Sequence, residues 1–479
     1  MSRVLLLVPH QDDELLVGGP MLVNLCRGGH EVYVFLATNG DFFPFESAAR
    51  ARESIRALTL LGVDRSRILF GGYGDDWRGG SIYDAPYDEV KTSMAGFQQT
   101  HGPAPGIDEW RYLRTKEHAP YTKAAYREDL FTLMDSLRPE VLLLIGYDFH
   151  PDHRTLHLLS LEALALLMEK DPSYTPVLLE KYAYMGNLFG AEDFFRIPHL
   201  PSVRPKKVLD TAFFDWKERI RYRVPRDCDT FFLAFNRMFR AARCYRTQGM
   251  WMSADKIINT DVVYWQRNTA NRVLGAEIRA SSGQVRWLND LKLFESDSVS
   301  ERTCDLASLC FRPDPADEEK TVTVTLRAPS DLKLLLLYFN TPGGISVDLE
   351  ATLFLEDGSE AVLREAHQSR GTYSVLRLEL DGRACLGFRL RFENVRGELG
   401  LGEIEALDRV PEPPFRELLA EPRDTRYSVW KTRLLWPEKK LYRLLRKLRK
   451  RIRTPFDRKK ERYRQARLEA LAQGKDWEP

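Results

Sequence analysis

The sequence predicts an α/β fold in its first half, an antiparallel β-sandwich after it, and a basic amphipathic helix near its end. Short continuous apolar runs alternate with segments of helical spacing through the first half, which is typical of a Rossmann-like parallel sheet covered by helices. Residues 320–410 instead alternate apolar and polar residues with period two, which predicts a sandwich of the jelly-roll type. The final segment combines many lysines and arginines with apolar residues at helical spacing.

Three units are expected, because 479 residues exceed what one hydrophobic core ordinarily holds. We place the α/β domain at residues 1–274, the β-sandwich at 275–410, and a linker with the basic helical tail at 411–479. The last unit begins with the proline-rich stretch PEPP, which is typical of a linker.

Each element of the α/β domain follows from a local pattern. Strands buried on both faces appear as continuous apolar runs, and helices as apolar residues three or four apart that often end at glycine. The predicted strands are residues 4–8, 32–37, 67–70 and 141–145, with a further extended segment at 260–268. The predicted helices are residues 14–27, 45–61, 124–137, 153–170 and 231–245.

A long segment between Gly71 and Tyr121 is rich in glycine, proline and aromatic residues. Loops of this length inside a compact domain are usually functional or disordered, and the tryptophans and tyrosines argue against disorder. The segment is therefore expected to form a lid that faces the substrate. A surface excursion that packs on the domain is the alternative.

Acids and histidines follow two of the predicted strands. His10, Asp12 and Asp13 come directly after the first strand, and His150 and His153 follow the strand at 141–145. In parallel sheets, ligands bind outside the carboxyl ends of the strands. One histidine and one aspartate from the first loop, with one histidine from the second, make the three-ligand set of an open zinc site. The spare aspartate can then act as a general base.

The two motifs resemble those of a known family. PHQDDE (Pro9–Glu14) resembles the PHPDDE signature of the PIG-L/LmbE-like zinc deacetylases, and HPDH (His150–His153) matches their second motif. The resemblance covers roughly residues 1–270. It implies that His10, Asp13 and His153 are the metal ligands and that Asp12 is the general base that activates the attacking water. It further implies that His150 stabilises the oxyanion or donates a proton to the leaving amine.

Further residues gain expected roles from this resemblance. Arg50, in the stretch RARE, falls where the family often carries Arg-x-x-Glu and is a candidate substrate contact. Asp152 is expected to orient a neighbouring histidine through its free ring nitrogen. Asp148 stands where many members carry glycine-rich turns, so it is expected to contact metal or substrate differently. Gln11 replaces the usual proline, which should matter little because that position supplies no ligand.

The implied function is that of a metal-dependent hydrolase that removes the acetyl group from an N-acetylated amino sugar of the GlcNAc type. The cofactor is expected to be Zn(II), with Fe(II) as the alternative. A glycan or lipid-linked saccharide of a bacterial envelope is the expected substrate. Two alternatives remain open: a hydrolase of another N-acyl amide, such as a thiol conjugate or antibiotic, and a non-enzymatic scaffold that binds glycan or membrane.

The end of the β-rich region (residues 387–410) resembles the last strands of discoidin-like, galactose-binding jelly rolls. Such modules often bind glycans through their loops. The alternative is a sandwich that only supports the catalytic domain or mediates dimerisation.

The tail carries a strong local charge. Residues 438–468 contain 15 lysines and arginines and three acids, a net charge of +12; since the whole chain carries +2, the remainder carries −10. Residues 441, 444, 445, 448 and 452 form one apolar stripe, and Trp430 and Trp436 precede it. This pattern predicts that residues 430–453 bind an anionic membrane surface. Docking on the protein's own acidic body is the alternative, and nucleic acid is not expected because no aromatic residues interleave the charges.

The chain is expected to be cytoplasmic, with peripheral attachment to the inner face of the cell membrane. The start MSRVLLLVPH lacks the apolar region and cleavage site of a signal peptide. No stretch reaches the roughly 20 apolar residues that span a bilayer.

Overall fold

The computed structural model describes residues 1–42, 46–76, 81–148, 150–183, 202, 214–230, 232–251, 257–295, 298–299 and 309–421, with scattered positions between 444 and 473. Most of the predicted membrane-binding segment, residues 430–453, lies outside these residues. Leu444 and Leu448 are described, and their side chains are 55% and 46% exposed. Within the described part of the chain, no helix has the length and apolar character needed to cross a membrane.

A seven-stranded sheet forms the centre of the first domain, in the order β3-β2-β1-β4-β5-β7-β6. Its first five strands are parallel, and their apolar side chains are buried because helices cover the sheet. The strands are β1 (Arg3–Val8), β2 (Glu31–Thr38), β3 (Ile68–Tyr73), β4 (Val141–Ile145), β5 (Val177–Lys181), β6 (Ile220–Arg223) and β7 (Asp261–Asn268).

Seven helices are described in this domain. They are α1 (Asp13–Val17), α2 (Gly19–Arg27), α3 (Ser47–Leu61), α4 (Trp110–Thr115), α5 (Lys123–Leu137), α6 (Pro151–Lys170) and α7 (Arg237–Ala242). Pro151 opens α6 at its first position, where a proline costs no hydrogen bond, and the His150 side chain caps that helix by accepting from the Asp152 N–H.

The second half of the described chain forms two antiparallel sheets with a shared apolar core. The three-stranded sheet has the order β13-β10-β15, and the five-stranded sheet has the order β12-β11-β14-β9-β8. The strands are β8 (Glu277–Ala280), β9 (Thr321–Asp331), β10 (Leu334–Asn340), β11 (Ile345–Leu355), β12 (Glu360–Ser369), β13 (Tyr373–Glu379), β14 (Ala384–Arg396) and β15 (Leu401–Leu407). The predicted combination of an α/β domain and a C-terminal sandwich is confirmed.

Three details differ from the expectations. The sheet is mixed, because β7 runs antiparallel to β5, and β6 antiparallel to β7. The single helix expected at 14–27 is two helices that meet at Gly18 and Gly19, the latter with φ of +45°. The helix expected at 231–245 is confined to Arg237–Ala242, preceded by a 3₁₀ turn at Leu233–Phe235.

The segment between β3 and α5 packs closely on the domain in its described part. The ring centroid of Tyr121, in this segment, lies 5.9 Å from that of Tyr73 on β3, and the Asn39 side chain donates to the His101 carbonyl at 2.8 Å. The first residues after β3, Asp75 and Asp76, are buried beside the loops that follow β1 and β4. The segment thus both packs on the surface and lines the candidate site.

Candidate active site

The candidate site lies at the carboxyl ends of the neighbouring parallel strands β3, β2, β1 and β4. Because these ends share one edge of the sheet, the loops after β1 and β4 meet there. The centroids of the His10 and His153 rings are 5.3 Å apart, and those of His10 and His150 are 4.6 Å apart. The structure therefore brings the two sequence motifs together.

His10, Asp13 and His153 form a tight buried group. The Asp13 Oδ2 atom lies 2.9 Å from His10 Nδ1 and 3.2 Å from His153 Nε2. Burial raises the pKa of the Asp13 carboxyl, but the charges of His153 and His10 outweigh this and hold the pKa well below its usual range. The group thus keeps a buried carboxylate ionised between two imidazoles.

A carboxylate contacts the other ring nitrogen of each of the two histidines, His10 and His153. Asp152 Oδ2 lies 2.9 Å from His10 Nε2, and Asp148 Oδ2 lies 2.8 Å from His153 Nδ1. Burial lowers the pKa of His153, but Asp148 and Asp13 together raise that pKa to about 9. Such contacts fix the orientation of an imidazole and direct its second nitrogen at the centre of the site.

Asp12 adopts an unusual backbone conformation, with φ of +130°. Non-glycine residues rarely occupy this region, and such strain clusters at functional sites. The Asp12 N–H donates to Glu14 Oε2 at 2.7 Å, and the Tyr245 hydroxyl donates to the same Glu14 carboxylate, which is completely buried. Desolvation, together with the charge of Asp13, raises the pKa of Asp12 to about 8.

His150 lies against both ligand histidines, with its ring stacked on His153 at a centroid distance of 4.6 Å. Its Nδ1 accepts a hydrogen bond from the Asp152 N–H at 3.2 Å. Burial, with the nearby His10 and His153, lowers the pKa of His150 well below its usual value. His150 is therefore neutral near pH 7, and its ring proton resides on Nε2.

Arg50 reaches the site from α3, where it hydrogen-bonds to other groups of the protein. Its Nη1 donates to the Gly40 carbonyl at 3.0 Å and to Asp75 Oδ2 at 3.3 Å. Gly40 has φ of +60°, and a Cβ there would lie 2.6 Å from Arg50 Nε and 2.1 Å from Gln11 Oε1. The turn TNGD (Thr38–Asp41) thus leaves room at Gly40 for both Arg50 and Gln11.

Sequence reasoning missed three acids of the site and the role of Gln11. Asp75 Oδ1 lies 3.8 Å from His10 Nε2, the Asp76 N–H donates to Asp152 Oδ2 at 3.1 Å, and the Asp75 N–H donates to Asp41 Oδ1 at 2.9 Å. The available signal was the position of GDD directly after the predicted third strand. Gln11, expected to matter little, donates to the Thr38 carbonyl at 2.7 Å and is fully buried.

The donor set fits a divalent metal ion. Asp13 Oδ1 is buried, and none of the described residues gives it a hydrogen-bond partner. Ligand atoms of His10, His150 and His153 all lie within 4.8 Å of one another, as do those of His10, Asp75 and Asp152. Imidazole with carboxylate is a donor combination that suits Zn(II) and Fe(II). These residues therefore provide the nitrogen and carboxylate donor atoms that a buried dication requires.

Comparison with known structures gives likenesses at low identity. A deacetylase in the biosynthesis pathway of teicoplanin is 18% identical, covering 52% of this chain and 85% of that chain, with a TM-score of 0.30. N,N'-diacetylchitobiose deacetylase from Pyrococcus horikoshii is 20% identical, covering 36% and 52%, with a TM-score of 0.23. The family 32 carbohydrate-binding module of NanJ from C. perfringens is 10% identical, covering 28% and 95%, with a TM-score of 0.22. At these TM-scores the likenesses carry no argument about activity.

Comparison with family models gives one match, to the first part of the chain. None of the curated proteins matches the chain. Residues 5–164 match the family model described as PIG-L, GlcNAc-PI de-N-acetylase, and both motifs lie inside the match. The resemblance expected from PHQDDE and HPDH is therefore confirmed, and the match covers about a third of this chain.

Proposed function

We propose that the protein is a metal-dependent N-deacetylase of an N-acetylated amino sugar of the GlcNAc type, carried in a glycan or lipid-linked saccharide. The observation that carries this proposal is the buried His10–Asp13–His153 group, with Asp12 beside it, inside the PIG-L family domain.

His10, Asp13 and His153 would hold the metal, with Zn(II) as the first choice and Fe(II) as the second. Such an ion, when bound, polarises an amide carbonyl and lowers the pKa of water. The two histidines meet the Asp13 carboxylate at 2.9 and 3.2 Å, so the three side chains need no large movement to share one cation.

The chain's own groups supply the proton transfers. Asp12 lies next to the ligand Asp13, where its carboxylate is placed to take a proton from the attacking water. His150 is held by the Asp152 N–H so that Nε2 carries its proton. From that atom it donates to the oxygen that gains negative charge, or to the leaving amine.

The test combines metal content with acetate release. The wild type, Asp12→Ala, His153→Ala and a control, Asp108→Ala at an exposed surface position, are purified and their bound metal is quantified. Acetate release is then measured with GlcNAc-containing oligosaccharides and glycolipids. We expect His153→Ala to lose both metal and activity, Asp12→Ala to lose only activity, and Asp108→Ala to match the wild type.

Other outcomes separate the alternatives. A wild type without stoichiometric metal would overturn the site assignment and favour a non-enzymatic scaffold. Stoichiometric metal without acetate release from any GlcNAc substrate would favour another N-acyl amide, such as a thiol conjugate or an antibiotic, and a panel of such amides would then identify it.

The setting that we propose for this reaction is the inner face of a bacterial cell membrane, in the biosynthesis of an envelope polysaccharide or lipopolysaccharide. The composition of residues 430–453 supports this, because an apolar stripe beside a cationic face binds anionic lipid. The exposed side chains of Leu444 and Leu448 are available for such contact.

Sedimentation with vesicles tests this setting. We expect the full chain to pellet with vesicles containing phosphatidylglycerol, to pellet less as salt is raised, and to stay in solution with pure phosphatidylcholine. Leu444→Ser/Leu448→Ser should weaken the binding severalfold, whereas Leu113→Ser, at an exposed position of α4, should not. No binding to either vesicle type would favour docking of the tail on the acidic body, and equal binding to both would overturn the proposed preference for anionic lipid.

A further inference from the structure

The connection between β8 and β9 packs into the first domain, although it joins two strands of the sandwich. Leu291, Leu293 and Phe294 are at most 3% exposed and belong to the core of the seven-stranded sheet. Leu288, only three residues before Leu291, belongs to the core of the sandwich. Residues 291–295, the connecting segment, are therefore part of the domain that carries the candidate site.

Phe294 lies beneath the loop that follows β4. Its ring centroid is 5.9 Å from that of Tyr147, 5.8 Å from Phe214, and 5.3 Å from Tyr373 on β13. Tyr147 is 1% exposed and directly precedes Asp148, which is fully buried. A change in the volume of residue 294 therefore reaches Asp148 through a single packed neighbour.

Lys292 and Glu295 join the connecting segment to α6 and to Tyr83. The Lys292 Nζ lies 3.3 Å from Glu162 Oε1 on α6, the helix that carries His153, and 2.9 Å from Glu295 Oε2. The Tyr83 hydroxyl donates to both Glu162, at 3.2 Å, and Glu295. Tyr83 lies in the segment between β3 and α5. The connecting segment is therefore joined both to that segment and to α6.

We infer, on the basis of the proposed function, that Phe294 is a positioning residue for the metal site. Packed under Tyr147, it fixes the loop that holds the Asp148 carboxylate 2.8 Å from His153 Nδ1. Asp148 in turn directs His153 Nε2 at Asp13. The sandwich thus contributes to metal affinity through the segment that joins its strands, and the PIG-L family domain depends on residues far outside the matched region 5–164.

The test measures the affinity of the full-length chain for Zn²⁺ by competition with a chelator. The variants are Phe294→Ala, the conservative Phe294→Leu, and the matched pair Phe388→Ala and Phe388→Leu, which alter an equally buried phenylalanine in the sandwich core. Asp148→Asn serves as the positive control. Loss of an orienting partner typically weakens metal binding about 10–100-fold, so we expect roughly tenfold for Phe294→Ala, less for Phe294→Leu, and no change for either Phe388 variant.

The outcomes distinguish this inference from the proposed function. If Asp148→Asn weakens binding while both Phe294 variants bind Zn²⁺ as the wild type does, Phe294 is only a packing residue and the inference fails. If the Phe388 variants weaken binding equally, the effect is one of general destabilisation, and the inference also fails. Unchanged binding in Asp148→Asn would show that Asp148 does not orient His153, and the inference would fail, whereas the metal ligands themselves are tested by His153→Ala. If Phe294→Ala does not fold, the Zn²⁺ affinity of Phe294→Leu tests the inference.

Discussion

Asp12 and Gly40 show how single positions shape the site. Asp12 holds a backbone conformation that an aspartate rarely adopts, with φ of +130°, and the buried Glu14 carboxylate accepts from its N–H. Gly40 leaves room for the side chains of Gln11 and Arg50, which lie closer to the position of an added Cβ than van der Waals contact allows. Both features place polar groups at the carboxyl ends of the strands. A more regular backbone would direct these groups away from that edge of the sheet.

Gly40→Ala should reduce both stability and activity. An alanine at positive φ costs about 1–2 kcal/mol, and the added Cβ would displace Gln11 and Arg50. Gly106→Ala is the matched control, because Gly106 also has positive φ, +74°, but nothing within 4 Å of its added Cβ. We expect Gly40→Ala to lose clearly more free energy of unfolding in urea, and to lose acetate release where the control does not. Equal losses in both variants would show that the contacts of Gly40 are unimportant.

At the scale of elements, the sequence predicts best where its pattern is strongest. The run VLLLI predicts β4 at its observed bounds, because a continuous apolar run buried on both faces admits few alternatives. The apolar spacing at 14–27 continues without interruption and by itself predicts one helix, although Gly18, Gly19 and Pro20 signal the break between α1 and α2. The break arises from packing: a Cβ on Gly18 would lie 2.8 Å from a Leu6 side-chain carbon on β1.

The residues of the candidate site also divide into those that a sequence motif predicts and those that only the fold brings together. His10, Asp13, His150 and His153 were found because their motifs have a fixed spacing and chemistry. Asp41 and Asp75 have no such spacing relative to the motifs, and only the adjacency of β1, β2 and β3 brings them together. The contribution of Phe294 depends on contacts between residues more than 100 positions apart in the chain, which no local pattern records.

Strand β5 carries a buried acid whose titration should be visible in the stability of the protein. Glu180 is 1% exposed, and within the described part of the chain neither of its carboxylate oxygens has a hydrogen-bond partner. Burial raises the pKa of Glu180 to about 7, and the nearby Arg267 only partly offsets this. Because the folded-state pKa exceeds the unfolded one, this side chain favours folding at low pH and that contribution is lost as the pH rises through 7.

Glu180→Gln should therefore become more stable than the wild type as the pH rises. A shift of this size corresponds to roughly 3 kcal/mol, so we expect the difference in free energy of unfolding to grow by about that amount between pH 5 and pH 8. Urea unfolding at several pH values measures it. Glu128→Gln, at an exposed position of α5, should differ from the wild type by the same free energy of unfolding at every pH. A constant difference for Glu180→Gln as well would mean that water or a counter-ion solvates this carboxylate.

At the scale of the whole molecule, the two folded units share buried polar contacts as well as apolar ones. Arg267 on β7 donates to Glu405 on β15 at 2.7 Å and to the Leu291 carbonyl at 2.7 Å. The Tyr338 hydroxyl on β10 donates to the same Glu405 carboxylate at 2.9 Å. The Arg267 and Glu405 side chains are only 7% and 2% exposed. Such contacts require one fixed arrangement of the sheet and the sandwich, which is also what the packing of Phe294 requires.

A double-mutant cycle on this pair tests the fixed arrangement. Arg267→Met leaves the Glu405 carboxylate buried without its cation, which typically costs about 3–5 kcal/mol, and Glu405→Gln alone should also destabilise. Together the two changes remove both charges, so the double variant should be more stable than Arg267→Met. Arg364→Met, which breaks an ion pair with Glu350 whose arginine is 77% exposed, should cost less than about 1 kcal/mol. If the double variant loses the sum of the free energies of unfolding that the two single variants lose, the pair is solvated in solution. The pair then does not hold the sheet and the sandwich in one arrangement.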